Sequence, residues 1–290
     1  MQKIPLIWNI TQACPWNCSF CCINAYYLPL SSESLEDSLE RLKRKEIELS
    51  LEDKLRIVDN IDIPNFDIDI SGGEPLLFKE NVGIIERLSK NFGRDNISIT
   101  TTGRGLTLVD LGSLKEIVGE VGFTYDFPYE SDSLRPLGYN SSNLDQIIKV
   151  IERGIKTMAQ IPLTRLNTSR EVIIDIYRNL TVAGVSSLHL MKFFPVGRGA
   201  HRSDLSLTDK EYQTAIKVYK KLEQPQSPRV YVQTALKALK DSRKNSSHFN
   251  ITSQGLLLSD PWAYDHHGEP VKEYILGDLK YQRFSEVVKF

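Results

Sequence analysis

The chain is expected to be an α/β protein of six strand–helix units with parallel strands, followed by a shorter extension. Three observations lead there. Short apolar runs alternate with longer stretches of helical periodicity from Ile4 to about Tyr219, the pattern of parallel strands joined by helical crossovers. Glycine-bearing polar segments follow the strands, where ligand loops gather in open sheets and barrels alike. The rhythm then fails near Gln224.

Each element has its own signal. Ile4 to Ile10 is an apolar run ending at a cysteine-rich loop. A charged stretch starts at Ser31, and Ser50 with Asp53 three residues on marks a helix start before Leu51, Leu55, Val58 and Ile61. The second strand, Phe66 to Ile70, alternates apolar and acidic residues and runs into Ser71-Gly-Gly-Glu-Pro75. A helix carrying Val82, Ile85, Leu88 and Phe92 leads to a third strand, Ile97 to Thr101. Leu108, Leu111, Leu114 and Val118 mark the next helix, before a strand at Val121 to Tyr125. Ile147, Ile148 and Ile151 precede the strand Met158 to Leu163; Val172, Ile173, Ile176 and Leu180 precede Leu188 to Phe193. Thr208 and Glu211 make a capping box for a sixth helix with Tyr212, Ile216 and Tyr219 on one face. An open doubly wound sheet and a barrel both satisfy this order.

Composition narrows the class. The 290 residues are 41% hydrophobic and 25% charged, with formal net charge −1, an ordinary globular balance with no basic field for nucleic acid. No apolar run approaches the ~18 residues of a membrane span. No signal peptide precedes the first strand, so the expected location is a reducing cytoplasm, where clustered thiols persist.

All four cysteines lie in one loop: Cys14, Cys18, Cys21 and Cys22. The C-x-x-x-C-x-x-C spacing of the first three offers three thiolates, which can hold three irons of a [4Fe–4S] cube and leave the fourth open for a small molecule. Structural zinc takes four protein ligands, and Cys22 adjoins Cys21 too closely for both to serve one ion. Cys22 reads as a packed thiol, or as a replacement for Cys21 in a shifted register. A catalytically silent iron–sulfur or zinc protein is the alternative of another class.

Taken together, the cysteine loop after the first strand, Phe20 before its third cysteine, Gly72-Gly73-Glu74-Pro75 after the second strand and the F-F-P-V-G-R-G stretch after the sixth resemble the radical S-adenosylmethionine (radical SAM) superfamily. The resemblance covers roughly Ile4 to Gly199. It implies a partial (β/α)6 TIM-like barrel, with Cys14, Cys18 and Cys21 holding one [4Fe–4S] cluster and SAM on the open iron. Reductive cleavage of SAM then gives a 5′-deoxyadenosyl radical that takes hydrogen from a substrate, with a flavodoxin- or ferredoxin-type one-electron donor as partner. Gly72 and Gly73 let backbone approach the SAM amino group, and Glu74 places a charge beside it. Phe20 shields the cluster near the adenine or packs in the core. Thr102 follows the third strand on the same face. Thr124 and Asp126 are where the family holds the ribose. Asn167 matches a recurrent asparagine or caps the helix near Arg170. Gly197 and Arg198 approach the adenine or make a turn. Arg135 and Arg165 are surface charges or partners of a substrate carboxylate. Cys22 and Tyr125 are candidate hydrogen donors, with packing as the plainer role for both.

The tail is expected to be a separate extension, residues 224–290 after a barrel of residues 1–223, lying across one barrel end. Its expected strand pair around Gly255 and the run Ile275 to Leu279 before a short helix resemble a SPASM or twitch extension. No cysteine follows Cys22, so no auxiliary cluster held by thiolates is possible there. Relatives with such tails make a ribosomal peptide the leading substrate, with a small metabolite (sugar, nucleoside or amino-acid derivative) close behind. A first strand at Ile4 leaves no room for a fused leader-binding domain, so a separate peptide-recognition protein is an expected partner.

Overall fold

The computed structural model describes residues 3–30, 33–130, 134–232, 248–261 and 263–288. The elements are β1 (Ile4–Thr11), β2 (Ala13–Cys14), β3 (Tyr26–Tyr27), α1 (Leu35–Arg44), α2 (Leu51–Asn60), β4 (Phe66–Gly72), α3 (Lys79–Phe92), β5 (Ile97–Thr101), α4 (Leu111–Ile117) and β6 (Glu120–Thr124). Then follow α5 (Tyr139–Glu152), β7 (Lys156–Leu163), α6 (Arg170–Ala183), β8 (Ser187–Lys192), α7 (Asp209–Leu222), β9 (Arg229–Val232), β10 (Phe249–Ile251), β11 (Leu256–Leu258), β12 (Ile275–Asp278) and a short α8 (Phe284–Val287). Ten strands form one sheet in the order β12-β11-β10-β1-β4-β5-β6-β7-β8-β9. Neighbours from β10 to β9 are parallel, and β11 and β12 add antiparallel. The two ends of the sheet are not paired to each other, so the barrel is open.

The period of two divides the sheet into two chemistries. In β4 the apolar Phe66, Ile68 and Ile70 are wholly buried, while Asp67 and Asp69 point to the other face. The apolar set joins Ile97, Ile99, Val121, Phe123, Ala159, Ile161, Leu188 and Leu190 in one core with Ile84, Ile85, Leu88, Ile147, Val150, Ile173, Ile176 and Leu180 of the helices. The opposite, concave face is polar. Asp69 accepts from Ser98 Oγ (2.9 Å) and Thr100 Oγ1 (2.9 Å), and Gln160 Nε2 donates to Thr100 Oγ1 (3.1 Å). Barrel interiors of the closed kind are filled by branched apolar side chains; this one carries the hydrogen-bonded set Asp69, Ser98, Thr100 and Gln160.

Helix starts follow the sequence where a cap was read. Ser50 Oγ accepts from Asp53 N (3.1 Å) at α2, and Thr208 and Glu211 form the full capping box at α7. At α6 the cap is Ser169, whose Oγ accepts from Val172 N (3.3 Å), so the capping alternative for Asn167 is withdrawn.

Two features differ from the expected order. A seventh parallel strand, β9, pairs with β8; at four residues, R-V-Y-V, it is too short to carry a period. The described tail also extends the sheet, besides reaching the cysteine loop at the carboxyl end of the barrel through residues 265–268. β10 pairs in parallel with the free edge of β1, the β10–β11 hairpin turns at Gly255, and Phe284 of α8 stacks edge-on against Phe66 and Phe249 (centroids 4.9 and 5.2 Å). An exposed β1 edge would leave unpaired N–H and C=O groups, and the tail covers them.

Candidate functional site at the cysteine loop

The loop from Thr11 to Leu28 leaves the carboxyl end of β1 and is tied down on several sides. Beneath it, Thr11 Oγ1 donates to Glu48 Oε2 (2.7 Å), and Lys54 Nζ donates to Glu48 Oε1 (2.5 Å) and Asn81 Oδ1 (2.6 Å). Lys54 and Asn81 are fully buried and Glu48 nearly so. The glycine turn after β4 lies against the loop entry: Gly73 N donates to Thr11 O and Glu74 N to Ala13 O, both 2.8 Å. A Cβ on Gly73 would sit 2.1 Å from Ala13 O, so only glycine allows this approach. From the other side, Gly197 (φ +57°) brings its chain so near that a Cβ would meet Cys22 O at 2.4 Å, and Arg198 N donates to Cys21 O (3.0 Å). The tail contributes as well: Asn24 Nδ2 donates to His267 O (3.2 Å) and Gly197 N to Asp265 O (3.1 Å).

Cys14 and Cys18 are buried and Cys21 and Cys22 half-buried, all unbridged. Burial pushes the thiols of Cys14 and Cys18 up, and that of Cys22 up to about 12, with the neighbouring Cys21 adding to the last. Thiolates in such surroundings need a bound cation, since coordination deprotonates a thiol outright. No three or more Cys, His, Asp or Glu side chains among the described residues are gathered where one ion could sit. Thiolates that each bind a different iron of a cube need no such convergence. The donor set also comes with N–H···S support: Ala25 N donates to Cys21 Sγ (3.4 Å) and Arg135 Nη1 to Cys18 Sγ (3.3 Å). Three thiols in one loop, two of them with N–H···S donors, fit a [4Fe–4S] cluster.

Several expected roles change. Glu74 is fully buried; Thr101 Oγ1 (2.9 Å), Thr102 N (2.9 Å), Thr102 Oγ1 (2.5 Å) and Leu76 N (3.2 Å) all donate to its carboxylate. Its carboxylate braces the turn to the end of β5, and Thr102 shares the same brace. Burial pushes its carboxyl up, against the opposing hydrogen bonds from Thr102 and Thr101. Tyr125 points into the helix-side core, where Asn179 Nδ2 donates to its Oη (3.1 Å), so it is no hydrogen donor to a concave-face substrate. Asp126 is fully buried, with Arg135 Nε donating to its Oδ2 (2.7 Å) and Asn167 Nδ2 to its backbone O (3.0 Å). Asn167 Nδ2 also donates to Pro162 O, and Asn167 Oδ1 accepts from Thr164 N (2.8 Å), so Asn167 locks β7 to the loop after β6. Thr124 keeps a concave-face position, its backbone O accepting from Asn143 Nδ2 (2.7 Å). Phe20 packs with Phe127, Leu134, Phe193 and Leu205 in a small apolar cluster against the loop. Arg198 Nη1 donates to Asn17 Oδ1 (2.6 Å) on the loop itself. Arg165 is exposed, whereas Arg135 is not, and its place beside Cys18 had no sequence signal.

A cavity of about 650 Å³ opens at the amino ends of β6 to β9, away from the cysteines, with Glu120, Lys156, His189, Arg229 and Tyr231 among its lining residues. No helix among the described residues is long and apolar enough to cross a membrane.

The open parallel barrel with a three-cysteine loop at the carboxyl end of its first strand defines a class, and comparison with known proteins agrees with it. Residues 8–191 match the Radical SAM superfamily model, and the chain belongs to that superfamily of enzymes, which use a [4Fe–4S] cluster and SAM. Among curated proteins it is 27% identical over 162 residues to the GTP 3',8-cyclase of Alkaliphilus metalliredigens (strain QYMF), covering 51% of this chain and 47% of the relative. It is 35% identical over 96 residues to that of Desulforamulus reducens, covering 33% and 26%. The chain thus spans about half or less of these relatives. Among solved structures, native anSMEcpe with bound AdoMet superposes with TM-score 0.65 at 18% identity, over 98% of this chain and 79% of that one. Streptococcus suis SuiB bound to precursor peptide SuiA gives 0.63 at 14%, over 99% and 64%. At such identities the likeness is one of fold.

Proposed function

We propose that Cys14, Cys18 and Cys21 hold the cluster, and that the enzyme abstracts hydrogen from a peptide or protein substrate seated on the concave face. The cysteine loop carries this reading: it is pinned by Gly73, Gly197 and the Thr11–Glu48–Lys54 network at the one end of the barrel where six strand-end loops meet. When bound, the cluster and SAM supply reductive cleavage to a 5′-deoxyadenosyl radical. This chain's residues then hold the loop, bring the Gly72–Gly73 backbone to the SAM amino group, and keep Thr124 beside the concave face for the ribose. Cys22, half-buried beside the third ligand, is the candidate hydrogen donor. A one-electron donor of flavodoxin or ferredoxin type supplies the electron.

For a peptide substrate the support is that fold likeness with SuiB bound to its precursor peptide, and with anSMEcpe bound to the Cp18Cys peptide, runs through the tail, residues 224–290. We read that tail as a SPASM-like extension without its clusters. The small-metabolite reading keeps one specific support, the GTP 3',8-cyclase sequence relatives.

The test is anaerobic reconstitution with iron and sulfide, followed by SAM and dithionite, with 5′-deoxyadenosine read by mass spectrometry. Cys14→Ala, Cys18→Ala and Cys21→Ala are each expected to abolish it, whereas Cys22→Ala keeps the cluster. A Cys22→Ala protein without iron, beside a Cys21→Ala protein that retains it, would overturn the ligand assignment.

A further inference from the structure

Arg135 follows β6 in the chain and precedes α5, and its guanidinium is held on every side. Its side chain is 11% exposed. Nε donates to Asp126 Oδ2 at 2.7 Å and Nη1 to Cys18 Sγ at 3.3 Å. Its flat faces lie over the rings of Phe20 and Tyr139, with Cζ 4.8 and 4.5 Å from the two centroids. Asp126 is in turn fixed through its backbone by Asn167. The result is a rigid relay, Asn167–Asp126–Arg135–Cys18, that ends on a thiol of the cysteine loop.

A cation buried this carefully against a sulfur ligand needs a purpose. A [4Fe–4S]2+ core with three thiolates carries a formal −1, and one added electron makes it −2. A neighbouring positive charge and an N–H···S hydrogen bond both favour the more negative form, and cluster potentials follow net charge, hydrogen bonds to sulfur and exposure. We propose that Arg135 sets the reduction potential of the cluster through Cys18, and that Asp126 is the residue that positions it. This rests on the ligand assignment above. The step is a single electron, taken from the flavodoxin- or ferredoxin-type donor and placed on the cluster, with no bond made or broken and no proton required.

The experiment is a potentiometric titration of the reconstituted protein without SAM, followed by the electron paramagnetic resonance signal of the reduced cluster. Arg135→Gln, Arg135→Lys and Asp126→Asn are compared with the wild type. At fixed potential, Arg135→Gln is expected to lower the reduced-to-oxidised ratio about tenfold, which for one electron is 59 mV. Arg135→Lys keeps the charge without the fork and should fall less. Asp126→Asn removes a negative charge while its amide oxygen can still accept from Nε, and should shift the ratio the other way. A merely structural Arg135 would not give opposite signs. Should Arg135→Gln fail to take up iron, the Lys and Asn variants decide by their signs. Loaded variants at the wild-type potential, or Arg135 and Asp126 variants moving together, would overturn the proposal. A wild-type protein that binds no cluster would instead count against the ligand assignment.

Discussion

Lys54→Met is the sharpest test of how the cysteine loop is supported. Lys54 is fully buried and Glu48 shows 1% side-chain exposure, and their 2.5 Å pair is the centre of a network that ends on Thr11 at the loop entry. Removing one partner of a buried pair leaves the other charge without compensation, a loss of about 3–5 kcal/mol. Asn81 Oδ1 also loses its donor, which adds about 1 kcal/mol. With a urea slope of about 3 kcal/mol/M for a chain of this size, the midpoint should fall by more than about 1 M. The double variant Lys54→Met, Glu48→Leu should recover most of this. An apolar pair of similar volume often matches a buried ion pair, and Thr11 and Asn81 then account for a residue of about 1–2 kcal/mol. Equilibrium urea unfolding of all three variants by circular dichroism closes the cycle. A single-variant cost under about 1 kcal/mol, or a double variant no better than the single, would refute the claim that these charges are sequestered and coupled.

Two further outcomes follow from the same geometry. Gly73→Ala forces its Cβ against Ala13 O, a backbone atom that cannot step aside, so a loss of about 3 kcal/mol or more is expected. Iron uptake should fall with it; full loading in a stable variant would show that the turn does not set the loop. For Asp69, burial pushes the carboxyl up against the hydrogen bonds of Ser98 and Thr100. The folded state then holds its proton to higher pH than the unfolded chain, so this group lowers stability as pH rises from the ordinary aspartate value through the raised one. Asp69→Asn removes that loss, and the urea midpoint of the variant relative to wild type should climb as pH rises above the ordinary aspartate range. A flat or falling difference would show that Asp69 is not held protonated.

Much of the architecture was readable in advance because it rests on local periodicity. All six expected strands form, within a few residues of their sequence bounds, and the caps at Ser50 and Thr208 hold because capping depends on neighbours three residues apart. β9 escaped because four residues carry no period. The tail's partner escaped because pairing with the edge of β1 joins residues more than two hundred positions apart. Within the site, Gly73 was read as an approach to a ligand and Gly197 as an approach to the adenine or a turn; both lie against the cysteine loop's own backbone. Glu74 bonds to the end of β5, and Tyr125 packs in the helix-side core, the plainer role read for it. A motif gives a residue's position along the chain and says nothing of which way a turn rolls its side chain.

By itself, then, the sequence determined the donor set and its spacing, the parallel alternation that gathers six loops at one end, and the lack of any later cysteine for a second thiolate cluster. Each is a matter of covalent order and short-range periodicity. Tertiary structure alone decided that the barrel stays open, that the tail covers the β1 edge, and that Glu74 turns inward. It also decided that Arg135, 117 positions from Cys18, lies against its sulfur. Such contacts depend on packing between distant segments, where burial selects among rotamers and partners that the chain, read residue by residue, leaves equally available.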